Sequence, residues 1–79
     1  MKLLNFKNYE NYIFDFTFEN STLMKIDISN LIKSKVTRQE LKTAHIDKDW
    51  GCLEFNNGMV DIEPKTLYHF CFNEQTSSK

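Results

Sequence analysis

Glycine and proline are scarce: two glycines and one proline in 79 residues. That excludes a collagen-like or low-complexity chain and argues against a disordered one. No glycine-rich phosphate loop is present, so nucleotide chemistry of the P-loop or dinucleotide type is not expected. Net charge is −1, which removes any general attraction to nucleic acid or to an anionic membrane. No apolar run is long enough to span a bilayer. The opening Met1-Lys2-Leu3-Leu4-Asn5 lacks the apolar core of a signal peptide, so a cytoplasmic location is expected. In that reducing compartment Cys52 and Cys71 should be free, buried thiols.

Soft metal ligands are few as well. His45, His69, Cys52 and Cys71 are the candidates, and only His69 and Cys71 lie close. A spacing of two on a helix splays side chains apart, so neither a metal nor any other cofactor is expected. Cys71 and His45 give no sign of a nucleophile–base pair. The carboxylates Asp47 and Asp49, and Asp61 and Glu63, recur at a spacing of two. On strands such pairs are read as solvated faces or turn formers, because acid–base catalysis needs a deep cleft that so small a chain rarely builds. No enzyme is expected.

What the chain has is aromatic mass. Seven Phe, three Tyr and one Trp fall within a 41% hydrophobic composition, and each buries a large area. Tyr12, Phe14, Phe16 and Phe18 alternate with Ile13, Asp15 and Thr17, which predicts a strand with one buried face. After the turn Glu19-Asn20-Ser21, residues 22–28 alternate again, with Met24, Ile26 and Ile28 expected inside and Leu23, Lys25 and Asp27 outside. The two runs make a β-hairpin. Residues 2–7 supply an earlier edge strand.

Asp27 or Ser29 can cap a short helical piece through Lys33. Thr37-Arg38-Gln39-Glu40 is a capping box for a helix over 38–43. An extended stretch at 44–48, the turn Asp49-Trp50-Gly51 and a strand at 52–55 form a second hairpin. Asn57-Gly58 marks a further turn, and Met59–Ile62 can extend the sheet. Pro64 opens the last helix, with Leu67, Phe70 and Cys71 on one stripe. The expected fold is one α+β domain over 1–72, with a frayed polar tail at 73–79. Its order is β-β-β-α-β-β-α: an antiparallel sheet of hairpins in two layers with two or three short helices.

This order resembles the bacterial family known as domain of unknown function 2442, over about residues 5–70. The hairpin matches through Tyr12-Ile-Phe-Asp-Phe-Thr-Phe-Glu-Asn and Met24-Lys-Ile-Asp-Ile-Ser-Asn-Leu, and the middle through Trp50-Gly51-Cys52-Leu53-Glu54-Phe55. The most specific stretch is Phe55-Asn56-Asn57-Gly58 followed by Asp61 and Pro64-Lys65-Thr66-Leu67-Tyr68. Phe55 stands where the family has Trp, and Asn56 where it has Pro. The resemblance implies a small α+β domain with no established catalytic function. It also implies a small partner in two-gene modules of the toxin–antitoxin type.

Trp50, at a turn tip, is the first candidate for partner binding, since Trp is favoured as an anchor. Its alternative is packing back onto Tyr68 or Phe55. Asn57, Asp61 and Tyr68 belong to the family-like stretch. Lys33, Lys35, Arg38 and Lys42 form a basic strip. The expected function is a non-enzymatic protein-binding module, antitoxin-like or scaffolding. A phage-type inhibitor of a host defence complex and a nucleic-acid regulator using the 33–48 strip are the alternatives. An open edge strand also allows a homodimer.

Overall fold

The computed structural model describes residues 1–77, with side chains described through residue 74. Three strands come first: β1 (Leu3–Asn8), β2 (Ile13–Phe18) and β3 (Thr22–Asp27). They pair antiparallel in the order β1-β2-β3. The alternation of β2 is realised as read: Phe14, Phe16 and Phe18 are buried. Phe14 and Phe16 stack with centroids 5.1 Å apart, and Phe18 meets Tyr68 edge-on at 5.3 Å. Offset and edge-to-face rings of this kind add to the gain from burial alone.

β3 departs from simple alternation. Phe14 pairs with Ile26 but Phe16 pairs with Leu23, so Met24 and Lys25 together oppose Asp15. This is a β-bulge. Lys25 takes φ +56, and its N–H donates to Asp15 Oδ1 at 2.8 Å. The extra residue inverts the face of everything before it. Leu23 therefore lies buried and Met24 is exposed, the reverse of the expected assignment, while Ile26 and Ile28 stay inside. The Asp15 carboxylate also accepts the Tyr9 hydroxyl. That hydrogen bond, joined by the Lys25 N–H and the Lys25 and Lys7 ammonium groups, holds Asp15 below the ordinary carboxylate pKa against an opposing burial effect.

The helical pieces follow. Helix α1 (Ser29–Ile32) is a single turn, and Asp27 Oδ1 accepts the Ser29 N–H at 2.9 Å. The capping box forms: Thr37 N–H donates to Glu40 Oε1 at 2.9 Å, and Glu40 N–H to Thr37 Oγ1 at 3.2 Å. The turn it starts is a 3₁₀ helix over Gln39–Thr43. Tyr12 anchors this region by donating its hydroxyl to the Val36 carbonyl at 2.6 Å.

A second antiparallel sheet contains β4 (His45–Asp47), β5 (Cys52–Phe55) and β6 (Val60–Ile62), in that order. The α+β class holds, and the element order holds apart from one added strand, β6. The expected single sheet is instead two three-stranded sheets, with β6 a strand in its own right. They meet over one core that includes Phe14, Phe16, Ile28, Val36, Leu53, Phe55, Leu67 and Cys71. Helix α2 (Pro64–Ser77) opens at the proline as read and runs to Ser77, into the segment expected to be a polar tail; residues 78–79 lie outside the described residues. Leu67 and Cys71 are fully buried and Phe70 partly, which is the predicted stripe.

Gly51 joins the two sheets. Its carbonyl accepts the Leu3 N–H at 3.1 Å. It sits at φ +73, and a Cβ there would lie 2.5 Å from Lys2 Cβ and 2.7 Å from Lys2 Cα. Only glycine allows both the left-handed backbone and so close an approach.

Candidate functional site: an acidic groove beside Trp50

The second sheet turns one face to solvent. His45 pairs with Glu54, Asp47 with Cys52, and Glu54 with Asp61. Side chains alternate along strands, so these five residues share a face. Leu53 and Ile62 point the other way and are buried. The outward face therefore gathers three carboxylates, one imidazole and one thiol.

Trp50 stands at the end of this face, on the turn between β4 and β5. Its exposure is 72%, so it does not pack back onto Tyr68 or Phe55. Asp47 holds the turn from inside: its Oδ1 accepts the Asp49 N–H at 3.0 Å, and its carbonyl accepts the Gly51 N–H at 2.6 Å. Beside Trp50 an open groove of about 630 Å³ is lined by Met1, Asp47, Cys52, Asp61, Glu63 and the Pro64–Lys65 start of α2. An adjoining hollow of about 270 Å³ shares Asp61 and Glu63 and reaches Leu31, Ile32 and Lys35.

Acids outnumber bases in the groove: Asp47, Asp61 and Glu63 share its lining with Lys65 and Met1, whose ammonium lies 3.6 Å from Glu19 Oε1. Glu54 is paired, with Oε1 2.8 Å from His45 Nε2. Among the described residues no cation lies within ion-pair distance of Asp47, Asp61 or Glu63. Burial pushes the Cys52 thiol up to about 11, and Asp61, Asp47 and Glu54 add to the rise. The Thr43 carbonyl, 3.1 Å from His45 Nδ1, raises the His45 pKa above 6.5, with Glu54 and Asp47 contributing and burial opposing. Burial pushes Cys71 up to about 12. Both cysteines are free and buried, as read, and neither is a ready thiolate.

The candidate residues from the sequence are only partly brought together. Trp50 and Asp61 line one groove, and Lys35 borders the adjoining hollow. Asn57 lies on the opposite turn, where it and Gly58 take φ +58 and +87 and Met59 N–H closes onto the Asn56 carbonyl at 3.1 Å. That is the turn requirement of an Asn-Gly pair in a hairpin. Tyr68 packs between Phe18 and Phe72. Lys33, Lys42 and Arg38 are exposed on and before the 3₁₀ helix, and Arg38 Nη1 donates to Asn11 Oδ1 at 2.7 Å. Asp47, Cys52 and Glu63 were not singled out from sequence as partner-binding residues. The signal that could have found them is the spacing-of-two acidic pairs on neighbouring strands.

Among the described residues no three His, Cys, Asp or Glu side chains come together as a metal site. His69 is exposed while Cys71 is fully buried, so the pair diverges on α2 as the spacing implied. No helix among the described residues is long and apolar enough to cross a membrane.

The Asn57-Gly58 turn, the Pro64 helix start and the Leu67-Tyr68 pair thus occupy defined structural roles. The family model described as protein of unknown function (DUF2442) matches residues 4–73. The chain belongs to this family. The match runs from β1 through most of α2, so the DUF2442 unit includes both sheets and the groove between the Trp50 turn and α2. No curated protein and no solved structure matches the chain.

Proposed function

We propose that the chain is a protein-binding module without chemistry of its own, an antitoxin-like neutraliser or scaffold of a partner protein in the bacterial cytoplasm. The observation that carries this reading is Trp50: 72% exposed, at the mouth of a groove, on a turn locked by Gly51 against β1. Leaving a large aromatic in water forgoes about 1.5–3 kcal/mol of burial, and a rigid platform makes that energy available to a partner. A phage-type inhibitor of a host defence complex would use the same surface, and the neighbouring reading frame separates the two. A homodimer through the β1 edge is the less favoured arrangement. A register shift between Leu3 and Asn5 interrupts that edge, and bulges blunt strand addition.

The test is capture of a partner by the tagged chain in its native host, with Trp50→Ala as the paired variant. The reading expects one partner in stoichiometric amount, lost with Trp50→Ala while circular dichroism stays unchanged. A partner held equally by both proteins, or none by either, defeats it.

A further inference from the structure

We propose that the groove beside Trp50 takes a cationic segment of a partner protein, its arginine or lysine side chains spread over Asp47, Asp61 and Glu63 and one of them seated on the Trp50 ring. The inference rests on the reading of this groove as a partner surface and adds the chemistry of the partner. Its first support is charge complementarity. Three carboxylates line the groove against one lysine, Lys65, and among the described residues no cation lies within ion-pair distance of them. Bringing like charges onto one face costs folding energy, and a partner of opposite charge recovers it.

The second support is spacing. These acids do not converge closely enough to form a metal site. Charges distributed along a groove match a row of side chains rather than a single ion. The third is Trp50 itself. An exposed indole face attracts ammonium and guanidinium groups, and arginine also stacks on it. Trp50 shares the groove wall with the carboxylates, so both contacts are open to one segment. The fourth is the adjoining hollow. It continues past Asp61 and Glu63 to Lys35, Thr66 and the half-buried Leu31, which extends the groove for the rest of the segment.

Trp50 is the only tryptophan, so its emission reports on the groove directly. The probe is a short peptide of alternating arginine and leucine, with a glutamate–leucine peptide of equal length as control. The arginine peptide should give a saturable change in Trp50 emission at low salt, and its affinity should fall as salt screens the contacts. Exposed ion pairs are each worth about two- to fivefold in affinity, so Asp61→Asn with Glu63→Gln should weaken binding about four- to twenty-five-fold. Both substitutions are at exposed positions, and circular dichroism verifies the fold. The proposal is overturned by no saturable response, by an equal response to the glutamate peptide, or by binding unchanged in the double variant. Self-association abolished by the double variant, without peptide binding, would assign the groove to a second copy and also overturn it. A native partner lost with Trp50→Ala but kept by Asp61→Asn/Glu63→Gln at all salt concentrations would leave the partner surface standing and remove the cationic segment.

Discussion

Replacing Gly51 with alanine should be among the most damaging single changes outside the aromatic core. Two costs add. At φ +73 an L-residue is strained by about 1–2 kcal/mol. The new methyl would sit 2.5 Å from Lys2 Cβ and 2.7 Å from Lys2 Cα, where carbon atoms prefer about 3.5–4.0 Å. Because one obstacle is the Lys2 backbone, the chain entering β1 must move, an overpacking cost of about 1–3 kcal/mol. The expected loss is about 2–5 kcal/mol, from a domain whose total stability is about 4–12 kcal/mol. Gly58 is the internal control. It has φ +87, yet its Cβ would meet only Glu54 Oε1 at 3.5 Å, so Gly58→Ala should cost about 1–2 kcal/mol from conformation alone. Urea unfolding followed by far-ultraviolet circular dichroism measures both, with unchanged m-values as the check on two-state behaviour. Each kcal/mol should lower Tm by about 4–8 °C. Lys2→Gly in the Gly51→Ala background removes the side-chain part of the clash and should recover part of the loss. If Gly51→Ala falls within about 0.5 kcal/mol of Gly58→Ala, the close approach of β1 to the Trp50 turn is not a source of constraint and the reasoning fails.

Thr37→Ala should cost about 1 kcal/mol in urea unfolding, because it strips the Glu40 N–H of its side-chain acceptor; a change near zero would show that the capping box contributes nothing to stability. The His45 ring, followed by NMR, should titrate above 6.5. Because the folded-state pKa is the raised one, its stabilising contribution is full below the unfolded value and disappears as pH rises through the folded value. His45→Gln should therefore flatten that fall in the urea midpoint across the neutral range, and an identical pH dependence in both proteins would contradict the Thr43–His45–Glu54 assignment. Cys71, pushed up to about 12 and fully buried, should react with a thiol reagent at neutral pH only as fast as the protein opens, and urea should accelerate it strongly; rapid labelling in native buffer would contradict its burial.

Much of the local structure was legible from short-range chemistry. The alternation Tyr12–Phe18, the Thr37–Glu40 capping box, the Asn57-Gly58 turn and the Pro64 helix start all formed where they were read. Each depends on backbone preferences within a few residues. Met24 shows where that logic stops. Its period-two position placed it inside, but the Asp15 carboxylate, ten residues away, captures the Lys25 N–H and holds a bulge that turns Met24 outward. The division into two sheets is not legible in the sequence for a similar reason: a hairpin pattern shows which strands are neighbours in sequence, not where the hydrogen-bonded ladder ends.

The sequence by itself determined the class of fold, its element order up to β6 and the aromatic face around which it closes, because periodicity and turn chemistry are properties of neighbouring residues. It also excluded a glycine-rich phosphate loop and a closely spaced zinc motif. Only the tertiary structure decided what the carboxylates do. Asp47 on β4, Asp61 on β6 and Glu63 before α2 are separate solvated acids in the sequence. The register of the second sheet places Asp47 and Asp61 on one face, and the start of α2 brings Glu63 to the same groove. Gly51, by letting β1 approach within a Cβ's width, holds Trp50 at its end. A single charge has no preferred neighbour until strand pairing gives it one, and pairing is set by burial of Leu53, Phe55 and Ile62 on the other side of the sheet.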